Sequence, residues 1–162
     1  MIKRLAIAVV AALVIMGLFW LFASWDKAQA YTLEDHVFGD SIACGTGAAL
    51  RVPTTCRVGQ SSCWVLHHVT NKPYRYVAVS AGINDAPGPC VRAILRRIVA
   101  QRIVVILPAP INSARANVEV AAVQYGAYPI SYACKGGCSK RNFHPGSYSA
   151  LARGVRGLWL TH

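Results

Sequence analysis

Hydrophobic positions divide the chain into two parts that differ in pattern. Lys3 and Arg4 precede an almost unbroken apolar run over residues 5 to 25, and Ala28-Gln29-Ala30 has the small-x-small form of a signal-peptide cleavage site. A helix needs about 20 apolar residues to cross a bilayer. Residues 1–30 are therefore predicted to be either an uncleaved N-terminal membrane anchor or a long cleaved signal peptide. Both place residues 31–162 across the membrane, so this part is expected to be periplasmic, anchored at the inner membrane or secreted.

Residues 31–162 alternate between short apolar runs and segments with helical periodicity. Runs bounded by glycine, proline or polar residues predict strands, and apolar residues three and four positions apart predict helices. The predicted strands cover 36–38, 74–80, 102–107 and 128–132. The predicted helices cover 42–50, 61–69, 90–100, 113–125 and 145–155. This alternation predicts one α/β domain, a three-layer α/β/α sandwich in which helices cover both faces of a parallel sheet.

The cysteine positions agree with export. The number of cysteines is even, and an oxidising compartment permits disulfides. Cys134 and Cys138 are close enough in sequence to close a small loop; the alternative is a metal site formed with His144. We favour the disulfide and expect no metal and no organic cofactor, while the pairing of the other cysteines stays open. All six cysteines follow residue 30: Cys44, Cys56, Cys63, Cys90, Cys134 and Cys138.

The charge of the chain is strongly positive. The net charge is +11, and residues 31–162 keep 14 basic and 5 acidic side chains, a net +9. Such a domain can bind an anionic envelope surface, and the simpler alternative is a solvated face that keeps it soluble. The basic residues are scattered and no nucleic-acid-binding motif is present, so nucleic acid is excluded as a partner.

A serine stands where a nucleophile could act. Gly39-Asp40-Ser41 follows the first predicted strand and opens the first predicted helix of the domain. Backbone amides at a helix start stabilise negative charge, which is what the oxyanion of an ester under attack requires. The alternative for an isolated sequence of this kind is a helix cap.

Two further segments carry candidate chemistry. Gly82-Ile83-Asn84-Asp85 follows the second predicted strand, and the Asn84 amide there can donate to an oxyanion. The alternative is ordinary turn chemistry. His144 immediately precedes Pro145 and the last predicted helix, where a loop could bring the imidazole over Ser41. The alternative for a single histidine is a surface loop residue.

Together these segments resemble the SGNH hydrolases, also called GDSL-like esterases. The matching blocks are Phe38-Gly39-Asp40-Ser41-Ile42, Val58-Gly59-Gln60-Ser61, Gly82-Ile83-Asn84-Asp85 and His144-Pro145. The resemblance implies a flavodoxin-like α/β/α fold. It also implies that Ser41 is the nucleophile, that His144 is its base, and that the Ser41 amide, the Gly59 amide and the Asn84 side chain form the oxyanion hole. Gly39, Asp40, Gly82 and Asp85 would then be structural residues near the site.

One position departs from the family pattern. The family normally has an aspartate three residues before the histidine, where this chain has Arg141. We expect Asn142 or a backbone carbonyl to orient the imidazole of a working Ser41–His144 dyad. The function expected is hydrolysis of carboxylic esters, with short O-acyl groups on envelope or extracellular carbohydrate as the substrate class. The alternatives are a catalytically silent binding module for acylated glycans and an acyltransferase that uses the same serine.

Overall fold

The computed structural model describes residues 15–16, 33–139 and 142–161. The predicted N-terminal hydrophobic segment lies outside these residues apart from positions 15 and 16. The chain divides into two units, residues 1–33 and residues 34–162. Within the described ranges, no helix is long and apolar enough to cross a membrane.

Ten regular elements alternate along residues 36–160. The strands are β1 (His36–Gly39), β2 (Thr54–Cys56), β3 (Pro73–Ser80), β4 (Val99–Ile106) and β5 (Tyr128–Ile130). The helices are α1 (Ser41–Leu50), α2 (Ser62–His68), α3 (Val91–Arg97), α4 (Arg115–Gln124) and α5 (Tyr148–Leu160).

The five strands form one parallel sheet in the order β2-β1-β3-β4-β5. The strand order reverses at the β1–β3 pair, because β2 lies on one side of β1 and all later strands lie on the other. Gly39 at the end of β1 pairs with Ser80 at the end of β3. In open parallel sheets, ligands bind beyond the carboxyl ends of the strands at such a reversal.

Side chains of the strands alternate between two hydrophobic clusters. One face packs against α2, α3 and α4, and Phe38, Val79 and Val105 point into it. The other face packs against α1 and α5, and Val37 and Ala78 point into it. A sheet with helices on both faces is the α/β arrangement with a parallel sheet that the sequence predicts, and this part of the prediction is confirmed.

All six cysteines are paired in disulfides. The pairs are Cys44–Cys56, Cys63–Cys90 and Cys134–Cys138. The last disulfide joins two cysteines four residues apart in sequence and closes a small ring, as expected. The alternative metal site loses both of its thiolate ligands to that bond. Three disulfides are typical of a protein that folds in an oxidising compartment.

Candidate active site at the carboxyl edge of the sheet

The site begins with a close approach of two strand ends. Gly39 has φ of +147°, and a Cβ atom built on it would lie 2.0 Å from the backbone oxygen of Ser80. Only glycine fits there. The Asp40 amide donates to the same Ser80 oxygen at 3.2 Å, so the turn that carries Ser41 is held against the end of β3.

Asp40 is completely buried and caps α1. Its Oδ1 accepts from the Ile42 amide at 3.0 Å and from the Ser80 hydroxyl at 2.9 Å. Burial raises the pKa of Asp40 from 3.8 to about 6, although the hydrogen bonds from Ser80 and Ile42 oppose the shift. Its other oxygen, Oδ2, is buried without a hydrogen-bond partner in the described part of the chain. Asp40 is therefore a structural carboxylate that also brings a negative charge close to the serine.

Ser41 is the first residue of α1 and is partly exposed. The first turn of a helix leaves amides without intrahelical partners, and the helix dipole favours negative charge at that end. An oxyanion that forms at a carbonyl attacked by Ser41 would thus meet backbone donors. The position has the access and the electrostatics that a serine nucleophile requires.

His144 is held by a tyrosine of α5 whose ring packs against α1. Its Nδ1 is 2.8 Å from the hydroxyl oxygen of Tyr148, the first residue of α5. The Tyr148 ring packs on Gly45, where an added Cβ would lie 2.3 Å from Cε1 of the ring. Gly45 is one helical turn beyond Ser41 and shares its face of α1. Tyr148 therefore links His144 to α1 at Gly45, one turn beyond Ser41. No direct Ser41–His144 hydrogen bond is present among the described residues.

Asn142 does not orient the imidazole in this structure. Its Nδ2 donates to the backbone oxygens of Lys135 at 2.5 Å and Gly137 at 3.0 Å, both inside the Cys134–Cys138 ring. The partner of His144 is Tyr148, a residue that no sequence motif marks as part of the site. Arg141 lies outside the described residues.

The two remaining oxyanion candidates lie next to each other. Asn84 Nδ2 donates to the backbone oxygen of Gln60 at 3.0 Å, which joins the Asn84 loop to the turn that contains Gly59. That turn follows β2 beside the serine, because the Arg57 amide donates to the Gly39 oxygen at 3.1 Å. Asn84 is exposed, and an amide group has two hydrogens to donate, so one is left for a ligand.

Asp85 links the loop after β3 to the start of α2. Its Oδ2 accepts from the Ser62 amide at 2.8 Å and from the Ser62 hydroxyl at 2.6 Å. Gly82, with φ of +94°, supplies the backbone conformation that this loop needs. Asp85 and Gly82 thus hold the loop that presents Asn84.

Tyr132 supports the loop that carries His144. Its hydroxyl donates to the backbone oxygen of Phe143 at 2.7 Å, and burial, with the nearby charge of Asp40 as a smaller cause, raises the pKa of this phenol. Tyr132 also lines a cavity of about 450 Å³ between α5 and the segment after β5. Neither Ser41 nor His144 lines that cavity, so the candidate site is defined by its hydrogen bonds and the sheet edge.

The chain was compared with protein-family models, with curated proteins and with solved structures, and none of them matches it. The resemblance to the SGNH hydrolases therefore depends on the four sequence blocks alone. What the site can do is inferred from the geometry of its own residues.

Proposed function

We propose that this protein is a serine esterase of the SGNH type, with Ser41 as nucleophile and His144 as base. The observation that carries the proposal is the contact of His144 with Tyr148, whose ring lies on Gly45 one turn beyond Ser41. The β2-β1-β3-β4-β5 order supports it, because this flavodoxin-like order has its ligand site at the β1–β3 reversal.

The chemistry would proceed in two balanced steps. The Ser41 hydroxyl attacks the ester carbonyl, and His144 Nε2 takes the hydroxyl proton and returns it to the leaving alcohol. Water then attacks the acyl-serine through the same base, which releases the carboxylic acid and restores the serine. The Ser41 amide, the Gly59 amide and the Asn84 side chain would bind the oxyanion in both steps.

The substrate class proposed is a short O-acyl ester on envelope or extracellular carbohydrate. The disulfides support a location outside the cytoplasm. The net +9 of residues 31–162 favours approach to an anionic surface. The small domain leaves little chain for a deep acyl-chain pocket, which favours short acyl groups.

Hydrolysis of p-nitrophenyl acetate by the oxidised protein tests the activity. Ser41→Ala is expected to lower the rate by at least about 10³-fold, because it removes the nucleophile. Ser113→Ala, an exposed serine before α4, serves as the matched control and should keep the wild-type rate. Equal background rates in the wild type and in Ser41→Ala would overturn the esterase.

A catalytically silent binding module for acylated glycans is the second candidate. The observation that favours it is the position of Asn142, which bonds to the disulfide ring and leaves His144 with a neutral phenol as its partner. Titration with an O-acetylated oligosaccharide and its deacetylated form distinguishes the two. The module requires preferential binding of the acetylated form, with no turnover.

A further inference from the structure

The imidazole of His144 has an uncharged partner at the nitrogen that a carboxylate binds in a serine triad. Tyr148 Oη is 2.8 Å from Nδ1, and the residue is part-buried. For His144 to accept the serine proton at Nε2, the neutral ring must carry its hydrogen on Nδ1. The only geometry consistent with this has Nδ1–H donating to the phenol oxygen.

We propose that Tyr148 is a positioning residue that replaces the usual aspartate: its hydroxyl oxygen accepts the Nδ1 hydrogen of His144 and thereby fixes Nε2 as the base. This inference rests on the proposed esterase function. Tyr148 acts only through His144, and the covalent steps of the reaction are unchanged by it.

The phenol is held rigidly enough to set the orientation of the ring. Tyr148 is fixed at the start of α5, where the Ser147 side chain accepts from the Ala150 amide at 3.1 Å. Its ring is locked against Gly45, a contact that no residue with a Cβ could permit without displacement. Phe143 stacks on the imidazole, with ring centroids 4.8 Å apart. The imidazole is therefore held by Tyr148 of α5 and by Phe143 of its own loop, while α1 holds the Tyr148 ring.

The surrounding groups keep the phenol protonated. Burial, followed by the charge of Asp40, raises the pKa of Tyr148, so the hydroxyl stays neutral at physiological pH. Tyr132, whose hydroxyl bonds to the Phe143 oxygen, has a pKa raised by burial and then by the charge of Asp40. Arg115, which bonds to the Ser131 hydroxyl, opposes that rise. Asp40 is the one carboxylate that raises the pKa of Tyr148 within the described residues.

Tyr148→Phe tests the role, because it removes one oxygen and keeps the ring on Gly45. We expect kcat to fall about 10- to 100-fold with KM changed less than about twofold, the loss expected for a hydrogen bond to a group that becomes charged. The acidic limb of the kcat/KM profile should move to lower pH, because the protonated imidazole loses an acceptor. Tyr125→Phe, which removes a hydroxyl that accepts from Arg96 of α3, is the control and should match the wild type.

Imidazole nitrogen NMR supplies a readout that does not need activity. The neutral ring of His144 should be the Nδ1–H form in the wild type, and Tyr148→Phe should populate the Nε2–H form. A wild-type ring in the Nε2–H form, or an acidic limb that moves to higher pH in the variant, would mean that Tyr148 donates to Nδ1 and would overturn the inference. An unchanged kcat would overturn it as well.

The two proposals fail in different ways. Loss of the esterase assignment appears as equal rates in the wild type and Ser41→Ala, and the nitrogen spectra then still decide whether Tyr148 sets the tautomer of His144. If Tyr148→Phe keeps the full wild-type esterase activity, only the positioning role of Tyr148 is wrong and the esterase assignment stands. Thermal unfolding of each variant verifies that it is folded.

Discussion

Asp40 shows how one buried side chain can serve structure and still influence chemistry. It binds the Ile42 amide and the Ser80 hydroxyl through Oδ1 and has no access to solvent. Burial disfavours the ionised form, which is why its pKa rises to about 6. Its folded-state pKa therefore exceeds the value of the unfolded chain, so the folded protein binds a proton more tightly than the unfolded chain does.

Asp40→Asn should change the pH dependence of stability. A raised carboxyl pKa gives stability that is fully present below about pH 4 and is lost as the pH rises through about 6. The asparagine keeps the Oδ1 acceptor and cannot ionise. Between pH 4 and pH 7, the unfolding free energy of the variant should rise relative to wild type by up to about 3 kcal/mol, as measured by urea denaturation.

Glu119→Gln removes an exposed carboxylate on α4 and is the control for this experiment. Its unfolding free energy should follow that of the wild type across the same range. A difference between Asp40→Asn and wild type that stayed constant from pH 4 to pH 7 would contradict the account of Asp40.

The sequence indicated candidate residues of the site but not how they contact one another. Ser41, Asn84 and His144 were visible because each stands in a short local pattern at the end of an element. The contact of Asn84 with Gln60 and that of His144 with Tyr148 were not predicted. Tyr148 was assigned to a helix with no role, because the geometry of the Pro145–Ser147 turn that directs it back onto His144 has no sequence signature.

At the scale of elements, strong periodicity was sufficient to predict helices and strands from the sequence. A very short element was not predictable in this way. Each of the four predicted strands and five predicted helices has a counterpart in the structure. β2 was missed, because Thr54–Cys56 has only three residues and too few positions to show alternation. Its existence depends on hydrogen bonding to β1, which a local pattern does not reveal.

Two boundaries moved for tertiary reasons. The helix predicted over 90–100 ends at Arg97, and β4 takes residues from Val99 onward because they pair with the first residues of β3. The last helix begins at Tyr148 instead of residue 145, since Pro145 forms a bridge with Cys134 and Ser147 caps the helix. In both cases long-range pairing outweighed local propensity.

The packing of α5 on α1 predicts opposite effects for the same substitution at two helix glycines. Gly157→Ala on α5 has open space around the new Cβ and should stabilise the protein by about 0.5 to 1 kcal/mol, as alanine does in helices. Gly45→Ala on α1 would push against the Tyr148 ring and should destabilise it by about 1 to 3 kcal/mol.

Chemical denaturation of the two variants checks this pair. Gly45→Ala should also lower the proposed esterase activity, because it displaces the residue that holds His144, while Gly157→Ala should leave that activity unchanged. If Gly45→Ala is stabilised and fully active, the space between α1 and the Tyr148 ring must be larger than the structure shows.

At the scale of the whole molecule, the acidic residues are largely committed to internal contacts. Glu34 bonds to Lys72, and Asp35 forms a two-point contact with Arg75 at 2.8 and 2.9 Å. Asp40 and Asp85 belong to the candidate site. Most of the basic side chains therefore keep their charge on the surface, which supports the proposed affinity for anionic envelope material.

The three disulfides should contribute unequally to stability. Cross-links that close longer loops restrict the unfolded chain more. Cys63–Cys90 spans 27 residues and Cys134–Cys138 spans 4. Replacing the first pair by serines should lower the unfolding free energy by about 3 to 4 kcal/mol, and replacing the second by about 2 kcal/mol, as measured by guanidinium denaturation. The reverse order would show that native-state packing of the cysteines, not loop closure, decides the effect.

The small ring between Cys134 and Cys138 affects when, after synthesis, the segment before His144 becomes ordered. Its carbonyl oxygens at Lys135 and Gly137 hold Asn142, two residues before His144. A newly synthesised chain carries free thiols at both cysteines and has no closed ring to hold that segment. If His144 is the proposed base, closing the ring orders the segment just before it, so oxidation of the two thiols should raise the activity of the newly made chain.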